Sequence, residues 1–343
     1  MGFAWAKSPL VVLPHSPCGT SPSPLWYFPI ALVARVRVAT VSLSLTTRPS
    51  RLVWINLLLV YFFWGSTYAG IAVAGESAPP FTSMSVRFVI ASAAMAIILK
   101  FRKRTLAVTR RELGSAAFVG VALLACGTGG VALGEQSVPT GVTSLIICAT
   151  PMWMILFRTV TGDRPKALGL VGAAIGFTGM FVLVASAPNH GLGGGLSFGI
   201  GALVLLCASF SWSIGSFISK RLTLPKDPFV LTMWEMVFGA IGCFVIGQLV
   251  GEPFDLGAIT PASWAAIGYL VLFGSLVAYS AYVWLLGHAP ISLVATYAYV
   301  NPVVAVTIGV LLFGEELTAG MWLGAAIVLA GVALSVSAER SSS

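Results

Sequence analysis

Apolar residues run along this chain in long blocks, and polar residues gather in short clusters between them. With Gly, Pro and charge clusters as punctuation, the pattern predicts ten membrane-spanning helices. They cover roughly 52–73, 82–100, 114–134, 140–157, 167–187, 196–218, 229–250, 262–285, 291–313 and 319–337. A helix needs about 20 apolar residues to cross the hydrocarbon core, and every block is close to that length. The connections are short, so no soluble domain is inserted between spans.

The first 50 residues break the pattern. Pro9, Pro14, Pro17, Pro22, Pro24 and Pro29 interrupt any helix there. Residues 30–45 are apolar but short, and they carry Arg35 and Arg37. The apolar run after Lys7 is too short and too Pro-rich for a signal peptide. Residues 1–50 therefore read as a disordered or interfacial extension. A start codon placed too early is the other reading, although no Met occurs between Met1 and Met84.

The same blocks occur twice. Trp64 and Pro80-Phe81 recur as Trp212 and Pro228-Phe229 after 148 positions. Pro139 and Pro151 recur as Pro290 and Pro302 after 151, and Gly172-Ala173-Ala174-Ile175 with Gly179 as Gly324-Ala325-Ala326-Ile327 with Gly331 after 152. A duplication fixes architecture before any residue is weighed. It divides the chain into a first repeat at 51–187, a linker at 188–195, a second repeat at 196–337 and a tail at 338–343.

Composition sets the solvent. Only 9% of residues are charged and 57% are hydrophobic, with a mean hydropathy of +0.95. A soluble domain carries about a quarter charged residues, so this is an all-α polytopic membrane protein whose first partner is the lipid bilayer. The net charge of +8 reflects where the basic residues lie and implies no nucleic acid. Lys100, Arg102, Lys103, Arg104, Arg110 and Arg111 fall between spans 2 and 3. Arg158, Arg164 and Lys166 fall between spans 4 and 5, and Lys220, Arg221 and Lys226 between spans 6 and 7. Arg48 and Arg51 precede span 1, and Arg340 follows span 10. All lie on one side. The opposite loops, near Glu76, Glu135, His190, Glu252, Asp255 and Glu315-Glu316, hold no Lys or Arg. The positive-inside rule places both termini in the cytoplasm of a plasma-membrane protein.

Five spans per repeat is an odd number, so the second repeat enters the membrane from the opposite side. Inverted five-helix repeats are an architecture of secondary transporters, with a substrate site near the midplane and alternating access from the near-symmetry. Gly130-x3-Gly134, Gly172-x3-Gly176 and Gly320-x3-Gly324 are small-residue seams for helix packing; a homodimer interface is their other use. Pro151 and Pro302, at equivalent places in spans 4 and 9, are hinge candidates. Each frees a carbonyl four residues earlier, at Ile147 and Ala298, which needs a partner.

Arg87 in span 2 and Glu235 in span 7 stand well inside the membrane, 148 residues apart. Intramembrane charges face cavities or partners and are functional candidates. Counted from the helix starts, the two lie at mirrored depths, about 10 Å apart along the normal, so they are not expected to pair. Arg87 is expected to meet carbonyls, Glu135 or an anionic substrate group, and snorkelling is the plainer alternative for both. Glu235 and Glu135 are the proton-coupling candidates. Asp163 and Glu315-Glu316, after Gly162 and Gly314, are expected to cap the helices that follow. Repeat-equivalent Trp64 and Trp212 are candidate cavity walls. An aromatic-lined cavity suits amino acids, amphipathic metabolites or drug-like organics as the small-molecule substrate.

Other classes find little support. Cys18, Cys126, Cys148, Cys207 and Cys243 have no CxxC spacing, and His15, His190 and His288 form no catalytic or metal motif. No Walker A sequence is present, so the chain reads as neither an enzyme nor an ATP-driven pump, and no cofactor or metal is expected. An intramembrane enzyme would need more ionisable groups inside the spans than Arg87 and Glu235.

Trp64-Gly65-Ser66-Thr67, Arg87-Phe88 and Gly314-Glu315-Glu316-Leu317-Thr318, leading to Gly324 and Gly331, resemble the EamA family of the drug/metabolite transporter superfamily. The resemblance covers about 52–337. It implies a ten-helix inverted-repeat carrier, often an exporter of amino acids or related metabolites, commonly proton-coupled; a multidrug or metabolite permease working in the other direction is the alternative. It also implies a cavity lined by spans 1, 3, 4, 6, 8 and 9. Trp64, Thr67, Tyr68, Trp153, Trp212, Tyr282, Tyr297 and Asn301 become candidate lining residues, beside Arg87. The first repeat departs from the pattern at Gly162-Asp163-Arg164-Pro165, where the second has Gly314-Glu315-Glu316-Leu317.

Overall fold

Proline and short polar side chains decide where the helices begin. Pro80, Pro228 and Pro261 stand at the start of three long helices, where a missing N–H costs nothing. Elsewhere a hydroxyl accepts the orphan donor. Ser50 Oγ takes Val53 N at 3.3 Å, and Thr109 with Glu112 closes a capping box.

The computed structural model describes residues 50–162, 167–186, 195–294 and 296–340. The expected extension with Arg48, the turn residues Asp163, Arg164 and Lys166, and His190 lie outside the described residues. Among the described residues there are helices and no strand. Eight helices are long and apolar enough to cross a membrane: α1 (Arg51–Gly75), α2 (Pro80–Phe101), α3 (Arg110–Gly134), α4 (Thr140–Val160), α5 (Ala167–Ala185), α6 (Ser197–Ser219), α7 (Pro228–Leu249) and α8 (Pro261–His288). Two more, α9 (Tyr297–Phe313) and α10 (Ala319–Arg340), follow where spans 9 and 10 were expected. The first has 17 residues and the second 22, the length of α2 and α7. The difference at span 9 arises because Ile291–Val294 forms a separate single turn before α9.

Three pairs of repeat-equivalent helices, α2 with α7, α4 with α9 and α5 with α10, pack against each other and run antiparallel. Ser85 Oγ of α2 donates to Ala240 O of α7 at 3.1 Å, while Met95 and Leu99, further along α2, cluster with Val230 and Met233 at the start of α7. Gly141 at the start of α4 faces Val306 of α9, and Cys148, two turns on, faces Ala298. In the α5–α10 pair glycine permits the approach. A Cβ on Gly172 would stand 2.6 Å from Ser335 N, and one on Gly324 2.6 Å from Leu183 Cα. The seams of spans 5 and 10 are thus used between helices of one chain. Gly130 and Gly134 likewise let α3 approach Ala208 and Leu205 of α6. Large apolar side chains such as Leu58, Phe62, Ile97, Phe181, Leu203 and Leu312 point outward, as lipid contact requires.

Two features of the equivalent helices bear on function. α3 and α8 both pass into π-helical hydrogen bonding, over Val121–Thr128 and Leu270–Tyr279. The prolines differ in effect. The α4 helix breaks between Ile147 and Thr150, just before Pro151, whereas α9 continues through Pro302. Both freed carbonyls have partners. Thr150 Oγ1 donates to Ile147 O at 2.9 Å, and Cys148 Sγ donates to Ala298 O at 2.9 Å. The break in α4 is thereby tied to the turn of α9 that precedes Pro302.

Candidate functional site

Small and aromatic residues in the middle of seven helices leave a central cavity. Its aromatic wall is a cluster around Trp64 of α1. Trp212 of α6 and Tyr297 of α9 meet Trp64 edge to face, each with ring centroids 5.3 Å away, and Tyr282 of α8 lies at 4.8 Å. Such edge-to-face contacts add to what burial alone contributes. Trp64 Nε1 donates to Gly274 O in the π-helical segment of α8 at 3.3 Å. The Asn301 amide, turned so that its nitrogen donates, reaches Tyr61 O at 3.0 Å and Tyr297 O at 3.2 Å.

Arg87 enters the cavity from α2. It is 4% exposed, and its Nε donates to Ser275 Oγ at 2.9 Å while Nη1 lies 3.6 Å from Met84 Sδ. No carboxylate among the described residues lies within ion-pair distance. Gly274 makes the space for it: a Cβ there would stand 2.6 Å from Arg87 Nη2. Glu235 is 2% exposed and accepts from Tyr279 Oη at 2.7 Å. Arg87 and Glu235 do not bond each other. Both turn to α8, to residues four apart on it. Two contacts between α2 and α7, Ser85 Oγ with Ala240 O and Phe81 Cβ 3.2 Å from where a Cβ on Gly247 would stand, put Arg87 three to six residues from Glu235 along the paired helices, about 4.5–9 Å.

The sequence matches the EamA-like transporter family over residues 52–185 and 199–337. The chain belongs to this family. It is 36% identical over 281 residues to the uncharacterized inner membrane transporter YedA of Escherichia coli (strain K12), covering 81% of this chain and 88% of that one. It is 25% identical to the probable amino-acid metabolite efflux pump of the same strain, over 81% of this chain and 93% of the relative. A solved structure titled only as a crystal structure of a protein shares the fold, with a TM-score of 0.62 at 18% identity over 85% of this chain and 99% of that one. The molecule is a multi-pass membrane transporter.

Within this transporter, Trp64, Thr67, Tyr68, Arg87, Trp212, Tyr297 and Asn301 line the cavity. Trp153 and Tyr282 stand behind its wall. Trp153 Nε1 donates to Ser209 Oγ, a lining group, at 3.0 Å, and Tyr282 hydrogen-bonds Ser216 at 2.9 Å. Lining groups come from α1, α3, α4, α6, α8 and α9, with α2 added through Arg87 and Phe88. Gly274, Ser275 and Tyr279 of α8 were not singled out as site residues in the sequence. The available signal was a Ser and a Tyr one helical turn apart in an otherwise apolar span.

The remaining carboxylates divide in role. Both Glu135 oxygens are shielded from solvent and have no hydrogen-bond partner. Glu315 accepts from Thr140 N at 2.7 Å and Gly141 N at 2.9 Å, so it caps α4. This corrects the expectation that it caps α10, whose first turn is capped instead by Thr318 Oγ1, from Met321 N at 3.2 Å. The same device recurs at α2, where Glu252 accepts from Phe81 N at 3.1 Å and Thr82 N at 2.9 Å.

Proposed function

We propose that this transporter is a secondary active carrier of the inner (plasma) membrane. It exports amino acids or related small organic metabolites by alternating access, with proton coupling. The reading takes the chain as ten membrane helices in two inverted five-helix repeats, with both termini in the cytoplasm. Antiparallel packing of α2 with α7, α4 with α9 and α5 with α10 supports the inversion.

One observation carries the substrate reading. A cavity walled by equivalent residues of the two halves, Trp64 and Trp212, contains a buried guanidinium that no carboxylate among the described residues neutralises. A buried cation without a counter-charge is costly, and a substrate carboxylate supplies that charge through the planar fork of Arg87. The aromatic wall accepts the apolar body. Glu235 and the unpartnered Glu135 are the groups that carry the proton, and Pro151 and Pro302 are the hinges. The printed name of the Escherichia coli efflux pump agrees with this substrate class.

The test is efflux of labelled amino acids and their metabolites from cells with and without the gene, at two proton gradients. Faster efflux of a carboxylate-bearing compound, steeper with the larger gradient, is the expected outcome. Unchanged flux for every compound would remove the exporter reading. Gene-dependent efflux that ignores the gradient would remove the coupling alone.

A further inference from the structure

A second cavity lies beside the loop joining α6 and α7 and is lined by Lys220, Lys226, Glu235 and Trp284 among others. It and the central cavity nearly meet. Leu123 lines the second and its neighbour Leu124 lines the central one. Tyr279 lines the central cavity, Glu235 lines the second, and the two side chains are joined by the 2.7 Å hydrogen bond. At this point the partition is a single pair of side chains. Both backbone segments that flank it, Val121–Thr128 and Leu270–Tyr279, are π-helical. Such segments gather at functional sites and hold an extra residue per turn, which lets a helix change register without breaking.

We propose that the Tyr279–Glu235 hydrogen bond is the gate between the central cavity and the side of the basic loops, and that the second cavity is the vestibule of the same route. The proposal rests on the transporter reading and goes beyond it by naming the barrier. Three observations converge. Each partner faces a different cavity. Both are buried, at 2% exposure. The neighbouring Arg87 holds the same segment of α8 through Ser275, one turn from Tyr279. A ligand that draws Arg87 away from Ser275 loosens the segment that carries Tyr279, so occupancy of the central cavity is linked to the gate.

The gate can be tested without knowing the substrate. Thr128, which lines the central cavity, is replaced by Cys in a chain whose Cys18, Cys126 and Cys207 are changed to Ser. Vesicles of either orientation are then treated with a membrane-impermeant thiol reagent. From the basic-loop side, Tyr279→Phe should raise the labelling rate of Thr128→Cys up to about tenfold, the upper end for losing one hydrogen bond between neutral groups. Labelling from the other side should stay as it was. Glu235→Ala should act likewise, while Glu235→Gln, which keeps an acceptor for Tyr279, should label near the starting rate. Unchanged labelling in Tyr279→Phe, or an equal rise from both sides, would overturn the gate. If labelling behaves as stated and none of the tested compounds is exported, the exporter reading fails and the gate stands.

Discussion

At the scale of residues, the legible part of the site was what polarity and repetition exposed. Arg87 and Glu235 stood out because a charge inside a span is rare, and Trp64 and Trp212 because they recur. What they bond was not legible. Gly274 and Ser275 are ordinary packing residues in any apolar helix, and only the fold shows them making room for and holding a guanidinium. If Arg87 anchors a substrate carboxylate, Arg87→Gln should slow carriage of the acid by about 10- to 100-fold, the range for charge-assisted hydrogen bonds. The amide of the same compound should be far less affected. Arg87→Lys should recover only part, since an ammonium keeps the charge and loses the fork. Paired flux measurements on acid and amide check this. Equal loss for both would show a structural role for Arg87.

At the scale of elements, the spans were readable from apolar blocks, and their edges from Gly, Pro and charge clusters. The break at Pro151 was readable too, while α9 runs on through Pro302. The partners were not. Cys148 reaches Ala298 across the two halves, and Glu315 bypasses the helix it precedes to cap α4. Arguments from neighbouring positions favour local caps, and Thr318 satisfies that local need instead. Replacing Glu315 by Ala leaves two N–H groups at the start of α4 without their acceptor. It should lower stability by about 1–2 kcal/mol, the usual cost of a lost cap, read as a lower Tm of the purified protein in detergent. No change in Tm would mean that water or lipid headgroups serve these donors equally well.

At the scale of the whole molecule, the duplication made the two matching halves foreseeable. Which equivalent helices pack together was not foreseeable, because helix contacts depend on side-chain fit, as along α2 and α7. Register also rests on glycine at the α5–α10 seam. A side chain on Gly331 would collide with the backbone of Gly176. Gly331→Leu should therefore cost about 1–3 kcal/mol or more, seen as a lower yield of monodisperse protein on size exclusion. A full yield would mean that α5 and α10 can separate freely. The capping carboxylates have one more consequence, for biogenesis. Glu252 and Glu315 both belong to the second half, and the helices they cap, α2 and α4, belong to the first, 171 and 175 residues upstream of their caps. A ribosome adding about 5–20 residues per second needs roughly 10–35 s to cover that distance. For that interval the newly inserted first half has two helix ends open, and it cannot mature until the later half is synthesised.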